Sequence, residues 1–280
     1  LAVDLPDIGS RYYTYLSTLA HAMRACADAG VPVVVLDRPN PLGGAVVEGG
    51  VLRPEFVSFV GLHPVPVRHG LTIAEYARLV NALQPACELV WAPLSGWRRA
   101  WYHDESGLPW VMPSPNIPTA ETALAYAGTC LFEGTNLSEG RGTVKPFLLI
   151  GAPWLDPSRA RAAVDTRRLA GAALRDTVFR PTASKHANEV CRGFELHVLD
   201  RDRFAPYAAA VALLDAIRRS HEEFAFRVPS APGERSFIDL LAGTDELRRG
   251  ESGVDAYLER CAAEADAFRT RRAPYLIYAG

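Results

Sequence analysis

The sequence lacks an excess of either charge: 30 Lys+Arg stand against 32 Asp+Glu in 280 residues, a formal net charge of −2. That balance argues against a general binder of nucleic acids or anionic membranes. Long apolar runs are missing as well. The runs at residues 31–36 and 147–150 are strand-sized, and none approaches the ~20 residues of a membrane-spanning helix. Cysteine is scarce: Cys26, Cys87, Cys130, Cys191 and Cys261 stand singly, with no CxxC. An odd number at wide spacing indicates neither a disulfide scaffold nor a zinc site. No Walker A sequence and no GxGxxG occur, which weighs against a phosphate-handling protein built on Asp4 and Asp37. No secretory leader opens the chain, which begins Leu1-Ala2-Val3-Asp4 rather than with Met. The natural start is therefore expected to lie upstream.

What is present reads as an ordinary globular protein, 49% hydrophobic and 22% charged, long enough for two domains. The first half alternates short strands and helices. Residues 2–4 end a strand. Residues 14–29 form a helix with Leu16, Leu19, Ala22, Met23 and Cys26 on one face. Residues 31–36 are a continuous β-branched run, expected to be a strand buried on both faces. Thr72 caps a helix to about residue 83, with Glu75 completing a capping box. Residues 88–92 are a third strand, 119–131 a third helix and 147–151 a further strand. This rhythm implies βαβ units and an α/β fold with a parallel sheet. Past residue 157 the texture changes to a basic helix at 158–173, strands at 177–182 and 194–199, and helices at 206–220 and 254–270. The reading is a parallel-sheet α/β domain over 1–155 and a smaller α+β domain over 156–280.

In parallel sheets ligands bind beyond the carboxyl ends of the strands, which directs attention to the loops there. Asp7, Arg11 and Tyr13 follow the first strand. Asp7 can accept from N–H groups at the helix start, and Arg11 can grip a carboxylate with two bonds. The ordinary alternative is a helix cap with a local ion pair. Asp37, Arg38 and Asn40 follow the second strand in the run DRPNPLGG, where prolines stiffen the loop and glycines let a backbone approach a ligand. A rigid turn around an Asp–Arg pair is the competing reading. His69, just before a helix, is a candidate acid or base. Trp97, Trp101 and Trp110 crowd one loop, and their faces suit the C–H side of a sugar or a core plug. The segment 132–143 places Glu133, Glu139 and Arg141 among three glycines, as acid–base work on a ligand would require. Paired carboxylates are the equipment of glycoside hydrolysis.

Together these segments resemble the exo-β-N-acetylmuramidases of the NamZ family, formerly a domain of unknown function (DUF1343). The matching strings are GSRYYTY (9–15), VLDRPNPLGG (35–44), HGLTIAEYA (69–77), PSPNIP (113–118), EGTNLSEGRGT (133–143) and GAPW (151–154). The resemblance spans essentially the whole chain. It implies a Rossmann-like domain joined to a smaller C-terminal one with the active cleft between them. It implies release of N-acetylmuramic acid from the non-reducing ends of peptidoglycan fragments, without metal or nucleotide. On that basis Glu133 and Glu139, then Asp7 and His69, are the expected catalytic groups. Arg11, Arg38 and Arg141 are candidates for the lactyl carboxylate, Tyr13 or Trp97 for stacking on the ring, and Asp37, Asn40 and Asn116 for further contacts. Two departures stand out. Pro6 occupies a position where the family usually has Gln. The family also carries an upstream stretch on the order of 100 residues, two βαβ units in size, with a Pro-Glu-His-Gly motif whose Glu is its favoured acid. The chain is therefore expected to be N-terminally truncated, with an exposed sheet edge at residues 1–4. A non-catalytic binder of peptidoglycan fragments is the alternative function. A peptidoglycan substrate implies a periplasmic or secreted location, with a cytoplasmic one left open.

Overall fold

The computed structural model of the chain describes residues 1–229, 231 and 233–279. It packs as two units, Leu1–Pro113 with Cys261–Gly280 and Ser114–Arg260. The boundary expected near residue 155 thus falls at 113/114, and the C-terminal segment returns to the first unit.

In the first unit β1 (Ala2–Val3) leads to helix α1 (Tyr15–Ala29), then β2 (Val33–Leu36), β3 (Glu48–Val51), β4 (Pro66–Arg68), α2 (Ile73–Leu83) and β5 (Leu89–Ala92). The parallel sheet has the order β1-β2-β5, with Val3 opposite Val35 and Val35 opposite Trp91. Among the described residues β1 pairs with β2 alone, so it lies at the sheet edge, as expected. The pair β3–β4 is a separate antiparallel ribbon. α1 forms because Leu16, Leu19, Ala20, Met23 and Cys26 recur at helical spacing and bury together against Val33, Val35, Leu79 and Val80. α2 starts on the expected capping box: Thr72 Oγ1 accepts from Glu75 N–H, and Glu75 Oε2 accepts from Thr72 N–H at 3.0 Å. One expectation fails here. β2 is not buried on both faces: Val33 and Val35 are fully enclosed, but Leu36 is 38% exposed, as is Val90 of β5 at 49%. An all-apolar run records β-propensity as much as burial.

The second unit contains α3 (Ala120–Thr129), β6 (Leu149–Ala152), α4 (Pro157–Ala163), β7 (Ala172–Phe179), β8 (Cys191–Val198), α5 (Pro206–Ser220), α6 (Phe237–Ala242), α7 (Glu246–Arg249) and the start of α8 (Gly253–Arg272). Its sheet is antiparallel, in the order β6-β8-β7. The strand expected at 147–151 to extend the parallel sheet is β6, which instead pairs antiparallel with β8, Ile150 opposite Phe194. An apolar run marks a buried strand without saying which strand it will pair with. The helix expected to reach residue 173 stops at Ala163. Val164 turns extended, Asp165 caps a short 3-10 turn, and β7 then begins, paired along its length with β8. Ladder pairing overrides helix propensity there. No helix among the described residues is long and apolar enough to cross a membrane.

Candidate active site

The carboxyl ends of β1 and β2 release Asp4 and Asp37–Arg38 into one place. Arg38 grips Asp4 with two bonds, Nε to Oδ1 and Nη2 to Oδ2, both 2.7 Å. This bond draws the Asp4 carboxyl below its ordinary value. Both side chains remain about half exposed and line a cavity of about 270 Å³. Its other walls come from Asp7, His103, Trp110 and five prolines, Pro6, Pro39, Pro41, Pro109 and Pro113. Prolines hold their backbone angles, so the wall is stiff. His103 meets Trp110 edge-on at 4.9 Å. The cavity therefore has a charged rim, an apolar aromatic side and an acidic floor. It lies where the parallel-sheet rule places a ligand.

Asp7 is buried. Its Oδ2 accepts from Gly9 N–H at 2.7 Å, and His69 Nε2 lies 3.4 Å from the same oxygen. His69 Nδ1 accepts from Leu71 N–H at 3.1 Å, so the ring proton sits on Nε2 and faces Asp7. Gly9 has φ +79°, and a Cβ there would meet Asn40 Oδ1 at 2.4 Å. Only glycine allows Asp7 and Asn40 to close on this turn.

Other expected ligand residues are committed to the scaffold. Asp37 receives four donors: Ala74 N–H and Arg38 N–H on Oδ1, and the Thr72 and Tyr278 hydroxyls on Oδ2. Burial still pushes its carboxyl above the usual value. It anchors the start of α2 rather than a ligand. Arg11 is 2% exposed and donates through Nη1 to the carbonyls of Gly50 and Val65. It is not available for a substrate carboxylate. Asn40 is likewise buried, donating to Leu71 O and accepting from Leu42 N–H. Trp97 is not a sugar platform: it is buried under Arg99 and edge-on to Tyr278. Tyr13 is buried beside Tyr15, and burial holds its phenol well above its ordinary value. The glycines 43 and 44 do not approach a ligand. A Cβ on Gly43 would press on the Arg99 and Trp101 carbonyls, and one on Gly44 would strike the Arg99 side chain.

Sequence reasoning missed Arg99, Arg272 and Tyr278. Arg272 donates to the carbonyls of Gly44, His69 and Gly70, and Arg99 to Gly70 O and to Glu75 Oε1. Burial lowers the Arg272 guanidinium to about 10. These arginines fix the backbone that carries His69. They lie far along the chain from what they hold, so no local pattern announces them. Trp110, in contrast, was visible in the tryptophan-rich loop, and it rather than Trp97 faces the cavity.

Glu133, Glu139, Arg141 and Asn116 belong to the second unit. Arg141 Nη2 donates to Glu133 Oε1 at 2.6 Å, and its Nε lies 3.4 Å from Glu139 Oε1. Lys185 Nζ sits 2.8 Å from Glu139 Oε2 and donates to Phe132 O and Thr135 O. Two acids alternate with two cations. They form a charge-balanced clamp on the 132–143 turn. Asn116 is half-buried, its N–H donating to Ser114 Oγ. Among the described residues no group of three or more His, Cys, Asp or Glu could hold a metal ion.

Comparison with known proteins now bears on what this cavity is for. Residues 1–121 match the family described as exo-β-N-acetylmuramidase NamZ, N-terminal, and residues 124–278 its C-terminal counterpart. The chain is 40% identical over 283 aligned residues to the peptidoglycan β-N-acetylmuramidase NamZ of Bacillus subtilis strain 168, covering 99% of this chain and 67% of that protein. The chain belongs to the NamZ exo-β-N-acetylmuramidase family. Two DUF1343 family proteins from Bacteroides fragilis NCTC 9343, known from crystal structures, share the NamZ architecture. One superposes with a TM-score of 0.87 at 28% identity, covering 100% of this chain and 74% of that one. The other does so with 0.78 at 28% identity, covering 99% and 75%. The two family matches meet at 121/124, close to the structural division at 113/114.

Proposed function

We propose that the protein is an exo-acting glycoside hydrolase that releases N-acetylmuramic acid from the non-reducing ends of peptidoglycan fragments. The observation that carries this is 40% identity along almost the whole chain to a peptidoglycan β-N-acetylmuramidase, with both halves matching the same family. The cavity at the ends of β1 and β2 supports it. Its volume of about 270 Å³ lies just under the usual range for drug-sized ligands, roughly 300 Å³ and above. That suits one sugar unit at a chain end. Trp110 offers a face for the C–H side of the ring. Of the three arginines considered for the lactyl carboxylate, Arg38 alone lines this cavity with a half-exposed guanidinium. Asp4 already occupies that guanidinium in the bidentate geometry a substrate carboxylate would adopt. In this reading the substrate carboxylate takes the place of Asp4.

The test is release of chromophore from a chromogenic β-N-acetylmuramide by the purified protein. Turnover is expected on that glycoside, with far less on the matching N-acetylglucosaminide, which has no lactyl group. Binding without release would favour a non-catalytic fragment binder, and absence of both would overturn the reading. We further infer a location in the periplasm or outside the cell, where peptidoglycan lies. Recovery from the cytosolic fraction alone would contradict that.

A further inference from the structure

Asp7 is the most deeply buried of the polar groups that line the cavity. It is 7% exposed, and its Oδ2 is taken by Gly9 N–H and faced by His69 Nε2. Its other oxygen, Oδ1, is buried and has no hydrogen-bond partner among the described residues. Buried polar atoms are nearly always satisfied, and a carboxylate oxygen without a donor is costly to keep. The surroundings do not relieve it. The Tyr76 phenol is pushed up first by burial and next by the charge of Asp7, and the same charge contributes at Tyr13. The carboxylate is nonetheless held firmly, because Gly9 fixes the turn on one side and His69, pinned through Leu71 N–H, faces it on the other.

We propose that Asp7 is a substrate-binding residue whose Oδ1 accepts a hydrogen bond from a hydroxyl or the N-acetyl N–H of the sugar in the cavity, and that His69 is the positioning residue that aims it. This inference rests on the saccharide reading of the cavity. Arg38 takes the acidic substituent at the rim, and Asp7 takes a neutral donor at the floor. The two ends fix the orientation of the ring.

The experiment is calorimetric binding of free N-acetylmuramic acid to the purified protein and to Asp7→Asn, His69→Gln and the double variant, with melting temperatures alongside. Asn can keep its oxygen toward Gly9 N–H and His69, which puts an amide NH₂ where Oδ1 stands and replaces an acceptor by a donor. Affinity is expected to fall roughly 10- to 100-fold in Asp7→Asn with the melting temperature unmoved. Gln at 69 cannot serve Leu71 N–H and Asp7 together, so His69→Gln is expected to lose less. The double variant is expected to bind no more weakly than Asp7→Asn alone, because His69 acts through Asp7. Wild-type binding with unchanged affinity in Asp7→Asn overturns the proposal alone. A loss in Asp7→Asn matched by a drop in melting temperature, or additive losses in the double variant, also overturns it. Failure of the wild-type protein to bind the sugar overturns the saccharide reading, and this inference with it.

Discussion

Arg11 and Arg38 both follow strands of the parallel sheet, yet their chemistry differs because of burial. Arg11 is sealed on backbone carbonyls, whereas Arg38 is half exposed on Asp4 at the cavity rim. Arg38→Ala is therefore expected to raise KM for an N-acetylmuramide about 10- to 100-fold, the worth of a charge-assisted bond. Little change in kcat is expected, since the lactyl group keeps its contact through the reaction. Steady-state kinetics on the chromogenic glycoside checks this, and the N-acetylglucosaminide should show no such penalty. Glu139 answers a different question. Its carboxylate is 2% exposed between Arg141 and Lys185. Glu139→Gln leaves those cations short of one counter-charge and is expected to cost about 2 kcal/mol or more in urea denaturation, with both partners partly exposed.

At the scale of elements, the start of α2 is where local and long-range bonding meet. Thr72 Oγ1 accepts from Glu75 N–H and donates to Asp37 Oδ2, and Glu75 closes the box while holding Arg99 and Ile277 N–H. Thr72→Ala removes the cap and one of the donors to Asp37. A loss of about 1–2 kcal/mol is expected in chemical denaturation, with the midpoint shifted and the slope unchanged. The capping box was fully legible in the run Thr-Ile-Ala-Glu, because capping is a contact between residues three apart. The role of Asp37 was not, because two of its donors, the Thr72 and Tyr278 hydroxyls, come from residues 35 and 241 positions away. Sequence placed Asp37 correctly at a strand end but assigned it to a ligand, where the fold spends it on a helix terminus.

At the scale of the whole molecule, acid stability and the C-terminal segment carry the expectations. Glu195 is clamped by Arg175 and Lys145, and hydrogen bonds from the two, Arg175 first, lower its carboxyl from 4.5 to about 2. The folded value lies below the unfolded one, so the contribution is complete above about pH 4.5 and is lost as pH falls toward 2. Glu195→Gln is expected to lower the melting temperature at pH 7, and the gap from wild type should close over that window in a series of melts. Removal of residues 273–280 withdraws Tyr278 from Asp37 and the Ile277 N–H from Glu75. Circular dichroism melts of the shortened protein are expected to show a clear drop in melting temperature, with binding of the sugar weakened as the α2 start loosens.

Residue order alone determined the elements whose signals are local: α1 from its apolar stripe, α2 from its cap, α5 from proline to serine, and the parallel strands from β-branched runs. It also carried the family, because short strings such as DRPNP and EGTNLSEGRGT are matched as strings. Tertiary structure decided which of the chemically capable side chains face solvent in the cavity. Arg38 and Trp110 do, and Asp7 lines the cavity from a buried position, while Arg11, Asn40, Asp37 and Trp97 are consumed by the scaffold. The reason is physical. A polar group's availability depends on whether another group, here supplied from as far away as Arg272 and Tyr278, has already satisfied its neighbours, and no local pattern records that.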